Sequence, residues 1–340
     1  MLINKKFRLA ALILALCSLT LTSCGKDENA VSTDEISPDG AIADENENDT
    51  ENESVYPYTF TDSAGNEVTL SEKPEKVAVL YSSYADIWAT AGGEVDITVG
   101  EAVERGFADD GIVLVDSGAG HTTIDTETLI NSEPDFVIGT TDYECQCDAV
   151  EFCLNAGIPA AVFSVENFDD YLSVLDIFCD ITGERDRYEE YGTAVGEEIE
   201  RIKAEALDNG FGEKILFVRA GSSAKSTKAK NSDDTFASHM LSELGGVNIA
   251  DTNSDLSAEL SLEAIVDSDP QYLFITTMGD ETAAKDYMTS LLQSEGWREL
   301  SCVKGNRYYF LPKELFHFKP NSRWAEAYAY LADILAQNES

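Results

Sequence analysis

The sequence predicts an α/β fold of two lobes with parallel sheets, joined by helices, and three observations carry that expectation. First, "ETLINSEPDFVIG", from Glu127, returns as "EAIVDSDPQYLFI", from Glu263, with both the Glu and the Pro displaced by 136 residues. Second, the duplication extends outward. "EKVAVLYSS" begins at Glu75 and "EKILFVRAGSS" at Glu213, and each is an apolar, β-branched-rich run ending in small polar residues. Such a run suits a strand buried on both faces of a parallel sheet, with a loop at its C-terminal end. Third, the segment between the copies carries apolar residues at helical spacing, through Tyr171, Leu172, Leu175, Phe178 and Cys179, then Tyr188, Tyr191, Val195, Ile199 and Ile202.

In chain order, residues 1–23 read as a signal peptide. Lys5, Lys6 and Arg8 precede the apolar "LAALILALCSLTLTS", which is short for a membrane span. The stretch ends in Leu21-Thr22-Ser23-Cys24, which resembles the lipobox of bacterial lipoproteins and makes Cys24 the lipidation site. This implies a protein anchored on the extracytoplasmic face of the cell membrane through its lipid alone. Residues 24–55 are rich in acids and nearly free of large apolar side chains, so they are expected to form a disordered tether. The N-terminal α/β lobe is expected over 56–165, interlobe helices over 166–208, and the C-terminal lobe over 209–336. Within each lobe a helical pattern closes on a glycine pair, Gly92-Gly93 and Gly245-Gly246, as helix C-caps require. The short strands "DITVGEA" and "VNIAD" follow, and then the duplicated phrase.

Composition narrows the function. The 340 residues are 43% hydrophobic, enough for a sizeable core, and carry a formal net charge of -41. A surface that acidic repels nucleic acid and anionic lipid. Cys145, Cys147, Cys153, Cys179 and Cys302 are an odd number outside the cell. Cys145 or Cys147 can be imagined pairing with Cys153, and Cys179 fits an apolar helical stripe. No zinc-type spacing occurs.

Four segments in fixed order then carry a family resemblance: "YTFTDSAGNEVTLSEKPEKVAVL", the phrase ending "EPDFVIG", "AGIPAAVFSVENFDDYLSVLDIFCDITG", and the phrase ending "DPQYLFI". Over about residues 56–336 the chain resembles the substrate-binding lipoproteins of ABC importers for iron–siderophores, haem and cobalamin. The resemblance implies two Rossmann-like lobes joined by a long rigid α-helix, a monomer that binds a small-molecule metal chelate, and no enzymatic activity or resident cofactor. It also implies partners, a membrane permease dimer with a cytoplasmic ATPase. By motif position, Glu127 and Glu263 would dock against the permease. Asp125 and Ser261 look like N-caps, so each Glu also falls in a first helical turn, where a carboxylate is favoured regardless.

Candidate ligand contacts fall after the expected strand ends, where open α/β sheets bind ligands. "RAGSSAKSTKAK" holds Arg219, Lys225, Lys228 and Lys230 and no acid, which points to an anionic chelate; the alternative is a solvated loop. Arg105 can face this loop from the first lobe. "ELFHFKP" offers Phe316, His317, Phe318 and Lys319; the aromatics can cover a planar or bulky chelate, and His317 can ligate iron or cobalt or simply be a hydrogen-bonded residue. Tyr84 and Tyr143 are further cleft aromatics, whereas Trp324 is expected to pack the last helix. Two rivals remain. Ser222-Ser223-Ala224-Lys225 matches the S-x-x-K of some serine hydrolases, without its companion motifs. A zinc or manganese site would have to draw on only three histidines, His121, His239 and His317.

Overall fold

The computed structural model describes residues 55–117, 122–253, 256 and 260–336. Cys24, the expected signal peptide, nearly all of the expected tether, and His121 lie outside them. A hairpin of β1 (Tyr58–Thr61) and β2 (Glu67–Leu70) opens the described chain. Asp62 closes its turn by accepting from Ala64 N and Asn66 N, and its other oxygen accepts from Val162 N at 3.1 Å, tying the hairpin to the first sheet.

That sheet follows from β3 (Val77–Val79), β4 (Ile97–Thr98), β5 (Val113–Leu114), β6 (Phe136–Thr140) and β7 (Ala160–Phe163). The order is β5-β4-β3-β6-β7 and every pairing is parallel. Its crossovers carry α1 (Ser82–Thr90), α2 (Gly100–Glu104), α3 (Thr126–Asn131) and α4 (Glu144–Asn155). Gly92 ends α1 at φ +88°, and a Cβ on Gly93 would stand 2.1 Å from the Trp88 ring. The expected glycine pair is therefore both a turn and a close approach.

Three further helical segments follow. α5 (Phe168–Thr182) starts on the Asn167 side chain, which accepts from Asp170 N. α6 (Arg185–Tyr188) runs through a π-helical turn, Glu189–Thr193, directly into α7 (Ala194–Asp208). This unbroken helical path of 24 residues, 185–208, spans about 36 Å at 1.5 Å per residue. The buried Tyr171 hydroxyl donates to Tyr191 O in the π turn at 3.0 Å, binding α5 to this helix.

The second sheet is built from β8 (Lys214–Ala220), β9 (Lys228–Ala229), β10 (Val247–Asn248), β11 (Tyr272–Thr277) and β12 (Tyr308–Phe310). Its parallel order is β10-β8-β11-β12, with β9 added antiparallel to the end of β8. Its helices are α8 (Phe236–Glu243), α9 (Leu262–Ser268), α10 (Glu281–Gln293), α11 (Ser301–Lys304), α12 (Lys313–Phe316) and α13 (Trp324–Ala336). The duplication is a duplication of register: Val77 pairs with Phe136 in the first sheet, and Ile215 with Tyr272 in the second.

Side chains on β8 and β11 alternate between two cores. Ile215, Phe217, Tyr272 and Phe274 belong to a large cluster that runs through the first lobe, α5, α7 and α13. Leu216, Val218, Leu273 and Ile275 face a smaller cluster with Met288 and Trp297. Burial on both faces explains the near-continuous apolar runs in the sequence. It also means that one face of the second sheet shares its core with the first lobe.

All five described cysteines are free. The imagined bridges to Cys153 do not form, because α4 holds Cys145, Cys147 and Cys153 on one rigid helix. Cys153 lies six and eight residues onward, about 9 and 12 Å along the axis, beyond disulfide reach. Cys179 is buried in the core as expected.

Candidate functional site

A cavity of about 670 Å³ lies between the lobes, where the C-terminal ends of β3, β6, β8 and β11 converge. That is the size and position at which open α/β folds hold small ligands. Smaller cavities of about 170 Å³ and 240 Å³ lie among the helices, the second sharing Glu166 and Phe236 with the main one.

One face of the cavity comes from the first lobe. Tyr81, just past β3, and Tyr143, just before α4, meet edge to face at 5.9 Å. Glu101 and Glu104 of α2, Asp142 of the loop after β6 and Glu166 beyond β7 add four carboxylates to this wall. Ser82 donates to Glu101 through a short hydrogen bond. Desolvation by the surrounding walls raises the Asp142 carboxyl above its ordinary range, and Lys319 opposes that shift. Among the described residues, the first-lobe lining includes no basic residue.

The opposite wall carries Arg219 at the end of β8, Lys313 and Phe316 of α12, and His317, Phe318 and Lys319 in the segment that follows. His317 Nδ1 lies 3.0 Å from Thr277 O. A carbonyl can only accept, so Nδ1 carries the proton and Nε2 keeps a lone pair when the ring is neutral. Burial, followed by nearby Lys313, lowers the His317 pKa and favours that neutral form.

The segment from Phe316 to Asn321 also joins the lobes. Arg105 stacks its guanidinium on Phe318 at 3.9 Å and donates to Ser82 and Ser83 at 2.8 and 3.1 Å. Lys319 pairs with Glu166 at 3.1 Å. Asn321, fully buried at φ 52°, donates to Ser83 O at 2.8 Å and to Asp86 at 2.7 Å. Each bond ties the C-terminal segment to the first lobe or to the chain just beyond it.

Of the residues expected from sequence, the cavity brings together Tyr143, Arg219, Phe316, His317, Phe318 and Lys319. Arg105 stands behind this group, under Phe318. Tyr84 does not reach the cavity: it is fully buried on α1, against Phe163 and 3.4 Å from Thr140 Oγ1. The tyrosine at the strand end is Tyr81, which the strand-end rule could have selected.

Lys225, Lys228 and Lys230 do not line the cavity either. The expected loop folds back as the β8–β9 hairpin, with a 3₁₀ turn at Ala224–Ser226. Lys225 sits exposed on that turn, Lys228 lies on β9, and Lys230 follows it, 3.9 Å from Asp234. The S-x-x-K residues occupy the same exposed turn. No group of three or more His, Cys, Asp or Glu fit to hold a metal occurs among the described residues.

Glu127 and Glu263 are exposed, each in the first turn of its helix. Asp125 accepts from Thr128 N at 3.0 Å and Ser261 from Ala264 N at 3.4 Å, so both expected N-caps are formed. Each helix leads back into a parallel strand, so its N-terminus lies on the side of the sheet where the cavity opens.

A family described as "Periplasmic binding protein" matches residues 77–315. An uncharacterised ABC transporter substrate-binding lipoprotein of Bacillus subtilis (strain 168), YvrC, is 23% identical over 265 residues, covering 77% of this chain and 80% of the relative. The siderophore-binding protein BauB, solved with two acinetobactin molecules and ferric iron, superposes with a TM-score of 0.66 at 15% identity, covering 84% of this chain and all of BauB. The haem-binding protein RhuT of Roseiflexus sp. RS-1 gives 0.62 at 17% identity, with 77% and 98% covered. The vitamin B12-binding protein BtuF of Vibrio cholerae gives 0.60 at 17%, with 78% and 99% covered.

Proposed function

The chain belongs to the periplasmic binding protein family, and on that premise we propose that it is the solute-binding lipoprotein of an ABC importer, which captures a metal chelate and delivers it to a membrane permease. A ferric siderophore is the foremost ligand. The observation that carries this reading is the cavity of about 670 Å³ between two pseudo-symmetric parallel sheets, with Tyr81, Tyr143, Phe316 and Phe318 in its lining. Aromatic faces cover the apolar body of a chelate, and Arg219 and Lys313 offer charge-assisted contacts to its oxygens. These two residues take the part expected of Lys225, Lys228 and Lys230. The lipoprotein relative supports anchoring through Cys24 and a role in transport. No helix among the described residues is long and apolar enough to cross a membrane. The two exposed glutamates, one on each rim, suit docking to a two-fold permease.

A second reading, haem or a corrinoid, rests on His317. Metal-ligating histidines characteristically donate their other ring N–H to a carbonyl, as His317 does to Thr277. One experiment decides between the two. The full-length chain, extracted in detergent, is mixed with ferric siderophores, haem and a corrinoid and examined by native mass spectrometry. A 1:1 ferric siderophore complex that survives His317→Ala supports the first reading. Haem binding whose absorption spectrum changes in His317→Ala supports the second. Binding of none of them overturns both.

A further inference from the structure

The charges in the cleft are sorted by lobe, and this feature specifies the ligand further. On the first-lobe side stand Glu101, Glu104, Asp142 and Glu166; on the second stand Arg219, Lys313 and Lys319, with one acid, Asp234. Local partners cancel part of each set. Arg105 donates to Ser82, which in turn donates to Glu101, so that acid is answered from behind. Lys319 lies 3.1 Å from Glu166 and also acts on Asp142, one base shared between two acids. Asp234, the acid that the second lobe contributes, lies 3.9 Å from Lys230. What remains is negative charge at Glu104 and the part of Asp142 that Lys319 does not answer on one wall, and on the other positive charge at Arg219 and at Lys313, which also acts on Glu281. A purely anionic ligand would gain at the second wall and be repelled at the first. A ligand with a cationic group at one end gains at both.

We infer that the cleft selects a bipolar metal chelate, one carrying an ammonium or guanidinium group that Glu104 and Asp142 receive while Arg219 and Lys313 hold the oxygens of its opposite end. The inference rests on the reading of the cleft as a chelate site and sharpens it. It replaces the anionic ligand that the basic stretch Arg219–Lys230 suggests in the sequence, because the three lysines of that stretch lie on the outer hairpin.

The test uses the full-length chain and three forms of one ferric trihydroxamate: with a free terminal ammonium, with that amine acetylated, and with it succinylated. Their metal centres are identical and their end-group charges are +1, 0 and -1. Charge-assisted contacts of the ammonium with two carboxylates, the exposed Glu104 and Asp142, support at least about tenfold tighter binding of the ammonium form than of the acetylated form. The succinylated form should bind most weakly. Glu104→Gln with Asp142→Asn should reduce the ammonium preference to about twofold or less, read as the ratio of the two affinities so that any loss common to all three forms cancels. Glu104→Lys should turn the preference toward the succinylated form. Equal affinities, or tightest binding of the succinylated form by the unmodified protein, would overturn the inference and leave the chelate reading standing. Binding of none of the three, nor of haem or a corrinoid, would remove both.

Discussion

In both lobes the strands are laid on the same hydrogen bonds. Asp135 N donates to Lys76 O at 3.0 Å, and its counterpart Gln271 N donates to Lys214 O at 2.8 Å. Each duplicated helix carries a side-chain N-cap and an exposed Glu in its first turn. The loops at the cavity differ altogether. The first lobe presents acids and two tyrosines, whereas the second presents Arg219, Lys313 and the aromatic segment Phe316–Phe318. At its outer edge the first sheet adds β5 beside β4, while the second adds the antiparallel β9 beside β8. The comparison teaches which features the two-fold plan constrains. Register, N-caps and the exposed first-turn acids repeat with the fold, whereas the cavity walls do not.

The largest expected effect breaks the part the lobes share. Reversing Glu127 or Glu263 to Arg should abolish uptake in cells and leave ligand affinity within about twofold, since a like charge forced into a docking interface costs several kcal/mol. Uptake assays and titration, run side by side, check this. Normal uptake by both reversals would reduce the duplicated Glu to a helix-end feature.

A smaller effect sharpens the difference between the two faces of the second sheet. Phe217→Ala should lower stability by about 3–5 kcal/mol and Leu216→Ala by about 2–5 kcal/mol. The two should act over different regions. Phe217 belongs to the core shared with the first lobe, so its loss should speed hydrogen exchange in β3 and β6 as well as in β8 and β11. Leu216 faces the separate cluster, so its effect should stay within the second lobe. Exchange measured by mass spectrometry gives the answer, and a Phe217→Ala effect confined to the second lobe would mean that the lobes open independently.

The smallest effect concerns the hairpin. Replacing Lys225, Lys228 and Lys230 together by Gln should change chelate affinity by less than about threefold, because none of them lines the cavity. The residual effect is a long-range one, screened beyond about 8–10 Å at ordinary salt. A hundredfold loss in titration would return these lysines to the ligand and contradict the charge sorting described above.

Several features were legible from periodicity and spacing, and for a physical reason. A strand buried on both faces must be written as an apolar run, so β3, β6, β8 and β11 announced themselves. A helix end needs a donor-satisfying cap or a residue at positive φ, which gave away Asp125, Ser261, Gly92 and Gly245. The rule that ligands gather at strand ends brought Tyr143, Arg219 and the Phe316–Lys319 segment into view. Composition alone does not separate Tyr81, on the strand-end loop, from Tyr84, beyond the two residues Ser82 and Ser83 and buried on α1; the strand-end rule, applied strictly, selects Tyr81.

By itself, then, the sequence determined the α/β class, the duplicated plan, the helical pattern between the copies and the first-turn position of Glu127 and Glu263, all of them consequences of local periodicity and backbone capping. Only the tertiary structure decided what faces the ligand. The residues after β8 could run across the cleft or fold back on the strand, and their composition permits both. The β8–β9 hairpin bonds, Val218 with Ala229 and Arg219 with Lys228, chose the second course and left Arg219 alone of that basic stretch in the cavity lining. The acids that oppose it, Glu104 and Asp142, lie 115 and 77 residues earlier in the chain than Arg219. Their meeting depends on the strand ends of two sheets being brought together through a shared core, and contacts between residues that far apart leave no periodic trace in the sequence.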